Sequence, residues 1–356
     1  MIRKRFYAVL ICLAFTAGCA GTGSAEMGAP AATDAAQVTG QAGASQVSGQ
    51  AGATQAGGAS AADTPAPGAA SGGQPADNGG PVTVTDMKGR TITLTEPVTR
   101  IIALTAGDCE NLYAISAGDK LVGRGEYCDY PPEVLGVQSV QSGAETNLEQ
   151  IISLKPQVLL MGAMDQNEEQ VKALENAGIR CVISDAQNIE GVYTEIQMLG
   201  ALMGRQKNAE DLINKMKSDF AAVSAGANAN KGKTIYFEVS PLQFGLWTAG
   251  SGTFMDEIAK MLGLTNCFAD VSGWAQISEE QVIERNPDYI LTIGMYTGQG
   301  PKPDEEIMGR AGWGSIKAVK NRAILNLQNN ELSRPSYRLA EGAKLLSAFI
   351  SEHKDS

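Results

Sequence analysis

Residues 147–160 read NLEQIISLKPQVLL and residues 278–291 read SEEQVIERNPDYIL. Glu149 falls on Glu280, Gln150 on Gln281, Ile152 on Ile283 and Pro156 on Pro287. Helix, Pro and buried strand are common αβ grammar, which accounts for the apolar residues and the Pro. It does not account for the matching acids. A second set of residues suits a large, flat ligand. Of three tryptophans, Trp247 and Trp274 fall in expected loops after strands or just before helices. Strand carboxyl ends are where α/β sheets bind ligands, and aromatic faces there give contact area at low entropy cost. Tyr127 precedes Asp129-Tyr130-Pro131-Pro132, whose double proline fixes an extended turn. Trp313, inside GRAGWGSIKAV, reads as packing. Of Arg334 and Arg338, which flank Pro335-Ser336-Tyr337, the first is assigned to ligand and the second to scaffold.

Other chemistry is poorly supplied. The one histidine, His353, is three residues from the end, which excludes a His-based triad or zinc site. Ser351-x-x-Lys354 lies in the tail, and GSGT (250–253) lacks the full dinucleotide or Walker pattern. No enzyme activity, metal or cofactor is expected. None of Cys109, Cys128, Cys181 and Cys267 lies in a CxxC pair. Cys109 and Cys128 both follow expected strands of one lobe. They could form a disulfide, and buried free thiols are the alternative.

The elements that position these residues alternate. Strands are expected at 100–105, 120–125, 157–162 and 180–185, with helices at 108–118, 148–155 and 168–178. A long helical stretch, about 190–225, is broken near Gly200 to Gly204; Leu212, Ile213, Met216, Phe220 and Val223 keep helical spacing in its second half. Alternation resumes with strands at 233–240, 288–294 and 322–327 and helices at 252–262 and 338–353. This predicts an α/β fold of two lobes, each with a central parallel sheet, joined by one helix. The expected boundaries are 81–205, 206–230 for the linking helix, and 231–356.

The chain before residue 81 is of another kind. Arg3, Lys4 and Arg5 precede a short apolar run, Phe6 to Phe15, too short to span a bilayer permanently. Thr16-Ala17-Gly18-Cys19 resembles the lipobox of bacterial lipoproteins, with Thr16 in place of the usual Leu. The resemblance implies a leader over 1–19 and a lipid on Cys19. Residues 20–80 hold no aromatic residue, Lys or Arg, and repeat QVTGQAGAS (37–45) as QVSGQAGAT (46–54). Such a stretch buries too little to order itself and reads as a tether with a reach of roughly 40 Å. The net charge is −11, and loss of three positive charges with the leader leaves −14. Nucleic acid and anionic membrane surfaces are poor partners for such a protein.

Together, the lipobox, the tether, RIIALTAGDCENLYAISAGDKLVGRGEYCDYPPEV, NLEQIISLKPQVLL and SRPSYRLAEGAKLL resemble substrate-binding lipoproteins of ABC importers. The likeness runs from about residue 82 to 353. It points to the class with two lobes and a single-helix linker, which carries cobalamin, siderophores or haem. Within that class it is nearest to vitamin B12-binding proteins. The resemblance implies that Tyr127 lies against a cobalt corrinoid, that Trp247 and Trp274 are aromatic walls, and that Asn330 and Arg334 make polar contacts. Two further Trp positions of that family fall on Gly143 and Gly162. It also implies that Glu149 and Glu280 dock a permease dimer carrying ATPase subunits. A monomer with a small rocking motion, held outside the cytoplasmic membrane by its lipid, is expected. A siderophore would call on Arg124, Arg334 and Arg338. Haem would call on Tyr127, Met161, Met164 or Met295.

Overall fold

A computed structural model describes residues 80–354 except 144–145, 163–167, 297 and 329. Cys19, the leader, nearly all of the tether and Met164 lie outside the described residues. The described chain falls within one compact unit.

An antiparallel pair comes first, β1 (Val82–Thr85) and β2 (Thr91–Leu94), unforeseen in the sequence. The first lobe follows: β3 (Ile101–Ala103), α1 (Ala106–Ala114), β4 (Leu121–Gly125), β5 (Ser139–Val140), α2 (Leu148–Ser153), β6 (Val158–Gly162), α3 (Glu168–Asn176) and β7 (Arg180–Ser184). Its sheet runs β5-β4-β3-β6-β7, parallel throughout. Ile101, Ile102 and Ala103 are wholly buried, as a central strand covered on both faces must be.

Two helices connect the lobes, α4 (Ile189–Leu202) and α5 (Gln206–Ser224). The chain turns between them at Gly204, where φ is +63°. Ile213, Met216 and Phe220 form the buried stripe that the spacing predicts. The second lobe comprises β8 (Thr234–Ser240), β9 (Trp247–Ala249), α6 (Phe254–Met261), β10 (Thr265–Asn266), β11 (Trp274–Gln276), α7 (Glu279–Arg285), β12 (Tyr289–Thr292), α8 (Pro303–Met308), α9 (Lys317–Lys320), β13 (Ile324–Asn326) and α10 (Leu339–Glu352). Its sheet runs β11-β9-β8-β12-β13, with β10 also on β8. It is parallel except for β9, which is antiparallel to both neighbours. The reversal follows a short turn at Leu242–Phe244 and Gly245, φ +85°. Trp247 and Trp274, expected in loops, therefore begin strands.

Candidate functional site

Two sets of contacts join the lobes. On one side, the segment after β13 reaches the start of α1, which follows β3. Asn111 Nδ2 donates to the Pro335 carbonyl at 3.4 Å, and the Tyr337 amide donates to Asn111 Oδ1 at 3.0 Å. A Cβ on Gly107 would stand 2.9 Å from the Pro335 oxygen, so the approach requires glycine there. On the other side, the Phe254 amide donates to the Gln187 carbonyl at 3.0 Å, and the Ile189 amide donates to Glu257 Oε2 at 2.8 Å. Trp274 Nε1 donates to Gln187 Oε1 at 2.9 Å. Tyr127, after β4, and Trp247, at the start of β9, lie at the carboxyl edges of their sheets.

A buried ionic group welds the first of these contacts. Glu110 on α1 is 1% exposed. It accepts from Arg334 Nη1 at 2.8 Å, from Arg338 Nη1 at 3.4 Å and from the Ser336 hydroxyl. Burial pushes the Glu110 carboxyl up, and these three partners pull it back. Losing one member of such a cluster would strand the rest uncompensated. Beneath it, burial and the neighbouring Asp108 push the Glu195 carboxyl well up, favouring the protonated acid, while Asn111 donates to Glu195 Oε1 at 2.9 Å.

Tyr127 is half-buried in the loop after β4. Arg124 Nη1 donates to the carbonyls of Gly125, Glu126 and Cys128 at 3.1, 3.5 and 3.0 Å. Gly125 lies so close to Leu104 that a Cβ would sit 2.1 Å from its carbonyl oxygen. Cys109 and Cys128 are both buried free thiols that donate toward the Ala103 carbonyl at 3.7 and 3.9 Å. Burial, with Cys128 alongside, pushes the Cys109 thiol well up.

The structure differs from the sequence reading over the arginines. Arg334 is 6% exposed and bonds Glu110 and Asp129, the latter at 2.6 Å, so in this structure it is a lobe-to-lobe latch. Arg338 bonds Glu110, Glu331 and Glu341 and lies 3.8 Å over the Tyr130 ring, the scaffold role expected of it. With Arg124 turned to backbone carbonyls, each arginine offered to an acidic siderophore already has protein partners. Met161, offered to haem, is 2% exposed inside the first-lobe core, whereas Met295 is 54% exposed.

Trp247 is half-buried at the carboxyl edge, opposite Ser240 and Gln276. Trp274 is half-buried and meets Phe254 edge-on, with centroids 5.3 Å apart; with Gln187 it braces the lobes. Asn330 is half-buried and accepts at its carbonyl from Ser333. Trp313 is fully buried in the second-lobe core, as its sequence context suggests. Glu149 and Glu280 are exposed at the second positions of α2 and α7. Glu110, Asp129 and Gln187 make contacts between the lobes that the sequence reading did not single out. No local pattern marks Glu110, whose Arg334 partner is 224 positions away. Two surface hollows, one between α4 and α5 and one along α10, are lined by none of these residues. Among the described residues no group of three or more His, Cys, Asp and Glu side chains could hold a metal.

Residues 101–331 match the sequence profile of the family described as periplasmic binding protein. An uncharacterized ABC transporter substrate-binding lipoprotein, YvrC, of Bacillus subtilis is 33% identical over 276 residues, covering 76% of this chain and 85% of its own. The vitamin B12-binding protein of Salmonella choleraesuis is 30% identical over 257 residues, covering 71% and 90%. A crystal structure described as a possible iron-binding (periplasmic solute-binding) protein from Staphylococcus epidermidis superposes with a TM-score of 0.62 at 31% identity. That match covers 72% of this chain and 99% of the other.

Proposed function

The chain belongs to the periplasmic binding protein family, and we propose that it captures a cobalamin-type corrinoid between its two lobes and delivers it to a permease. Its relatives make it a substrate-binding protein of an ABC importer in the B12, haem and siderophore class, a binding protein and not an enzyme. Such proteins work with permease and ATPase components. One observation supports the corrinoid most. The carboxyl edges of the two sheets carry Tyr127 and Trp247, while Arg124, Arg334 and Arg338 are committed to internal partners. Aromatic rings at the strand ends of both lobes, with Arg334 and Arg338 paired to acids and Arg124 held on backbone carbonyls, suit a broad, weakly charged ring better than a polyanionic chelate.

Glu149 and Glu280 dock the permease dimer, one from each lobe. Cys19 carries the lipid, and residues 20–80 let a monomeric domain range over the outer face of the cytoplasmic membrane. Replacing Cys19 with Ser should release the protein from membranes and abolish fatty-acid labelling; labelling that persists would refute the anchor. No resident cofactor is needed, since the corrinoid is cargo. Ligand identity is tested by titrating residues 81–356 with cyanocobalamin. Saturable binding at micromolar ligand or below is expected. Binding of haemin or a ferric siderophore in its place would overturn the corrinoid. The Staphylococcus epidermidis structure, described as possibly iron-binding, and exposed Met295 keep that second reading in view.

A further inference from the structure

Tyr127 sits in a loop held from two sides, and the two holds come from different lobes. One is local: Arg124, on β4, donates to three carbonyls between residues 125 and 128. The other crosses the junction: Arg334, on the segment after β13, pairs with Asp129, two residues beyond Tyr127. The side chains differ in freedom. The Asp129 side chain is 56% exposed, whereas the Arg334 side chain is 7% exposed, and the same Nη1 that meets Asp129 also donates to buried Glu110. A surface ion pair contributes little when both chains must be ordered to make it. Here one partner is already fixed, so less entropy is lost on pairing.

We propose that Arg334, acting through Asp129, is a positioning residue that holds the Tyr127 loop in its ligand-receiving form only while the lobes stay together. The Arg124 hold moves with the first lobe and survives any lobe displacement. The Arg334 hold does not, because its arginine belongs to the other lobe. Separation of the lobes at a permease would draw Arg334 off Asp129 and free the loop at the moment of delivery. This rests on the reading that Tyr127 meets the ligand. It assigns Arg334 a duty other than touching the ligand, which agrees with its burial.

The test uses Asp129→Asn, Tyr127→Ala and the double variant, with cyanocobalamin dissociation as the readout. Asp129 is exposed, so its replacement should leave the fold intact. Asp129→Asn should speed dissociation about fivefold, the upper range for a single exposed pair. In the Tyr127→Ala background it should add nothing further, because it acts through that ring. Multiplying effects in the double variant would overturn the proposal. A ligand-free arm separates this from the function itself. Amide exchange at residues 126–128 should rise in Asp129→Asn and also in Glu110→Gln, although Glu110 bonds no atom of that loop. If cyanocobalamin fails to bind the unaltered protein, the corrinoid reading falls and exchange alone judges the clamp. Unchanged exchange in Glu110→Gln would then overturn the cross-lobe hold.

Discussion

α2 and α7 begin on the same phrase and are secured by different means. In α2, Asn147 caps the helix by accepting from the Gln150 amide at 3.0 Å, and the Gln150 side chain reaches away to the Ser139 carbonyl at 2.7 Å. In α7, Ser278 accepts from the Gln281 amide at 3.4 Å and the Gln281 side chain returns to the Ser278 amide at 2.9 Å, a capping box. Glu279 accepts from the Trp313 indole N–H at 2.9 Å, while the matching place in α2 is Leu148, packed on the first-lobe core. Ile152 is 41% exposed; its counterpart Ile283 packs on the second-lobe core. Glu149 and Glu280 alone share one condition: both are exposed, at the second helical position, with no ion pair to any described residue. The repeated glutamine thus serves folding twice, in two ways. The repeated acid owes folding only the modest benefit of a negative charge in a first turn.

The largest expected effect falls on transport. Glu149→Ala with Glu280→Ala should abolish uptake in cells and leave ligand affinity as it was. A loss of affinity in the double variant would place the acids in the pocket and dissolve the comparison. Next is Trp313→Ala, expected to lower stability by about 3–5 kcal/mol in urea denaturation; a loss under ~1 kcal/mol would mean that α7 does not depend on that ring. A smaller effect belongs to the caps. Ser278→Ala should cost about 1 kcal/mol, and more than Asn147→Ala, because it removes one bond of a reciprocal pair and leaves the returning Gln281 side chain less firmly held. Equal costs would mean that the capping box adds nothing.

The smallest effect is a pH dependence. The amide at its own helical position and the Ser278 hydroxyl hold the Glu280 carboxyl below its ordinary 4.5. The fold favours the ionised form, so this contribution is present above the unfolded value and lost as pH falls through the lower folded one. A carboxyl titration by NMR should therefore place the Glu280 midpoint below 4.5. A midpoint at or above that value would remove the helix-start explanation.

Much of the architecture from β3 onward was legible because apolar strands and helices alternate; the caps Thr105, Asn188 and Thr253, which the sequence reading did not use, fix where the helices start. β9 was not, since three residues carry too little pattern to declare an antiparallel course. Trp247 and Trp274 were singled out by type but misplaced as loop residues, because strand pairing, not local propensity, puts them in β9 and β11. Arg334 was singled out as well, and its tie to Glu110 was invisible for want of any local trace. The second copy's glutamine could have been recognised, since Ser278 to Gln281 has capping-box spacing. Gln150 could not, because its partner lies on another strand.

Sheet polarity has one further consequence. In each lobe the helix bearing the acid starts where strands end, so Glu149 and Glu280 stand on the same rims as Tyr127 and Trp247. A membrane protein that grips both acids therefore covers the opening between those rims. On that proposed docking, loading and unloading would share one doorway, and a docked carrier would not refill. Each visit would then move a single cargo, and throughput would follow how often the carrier leaves and returns.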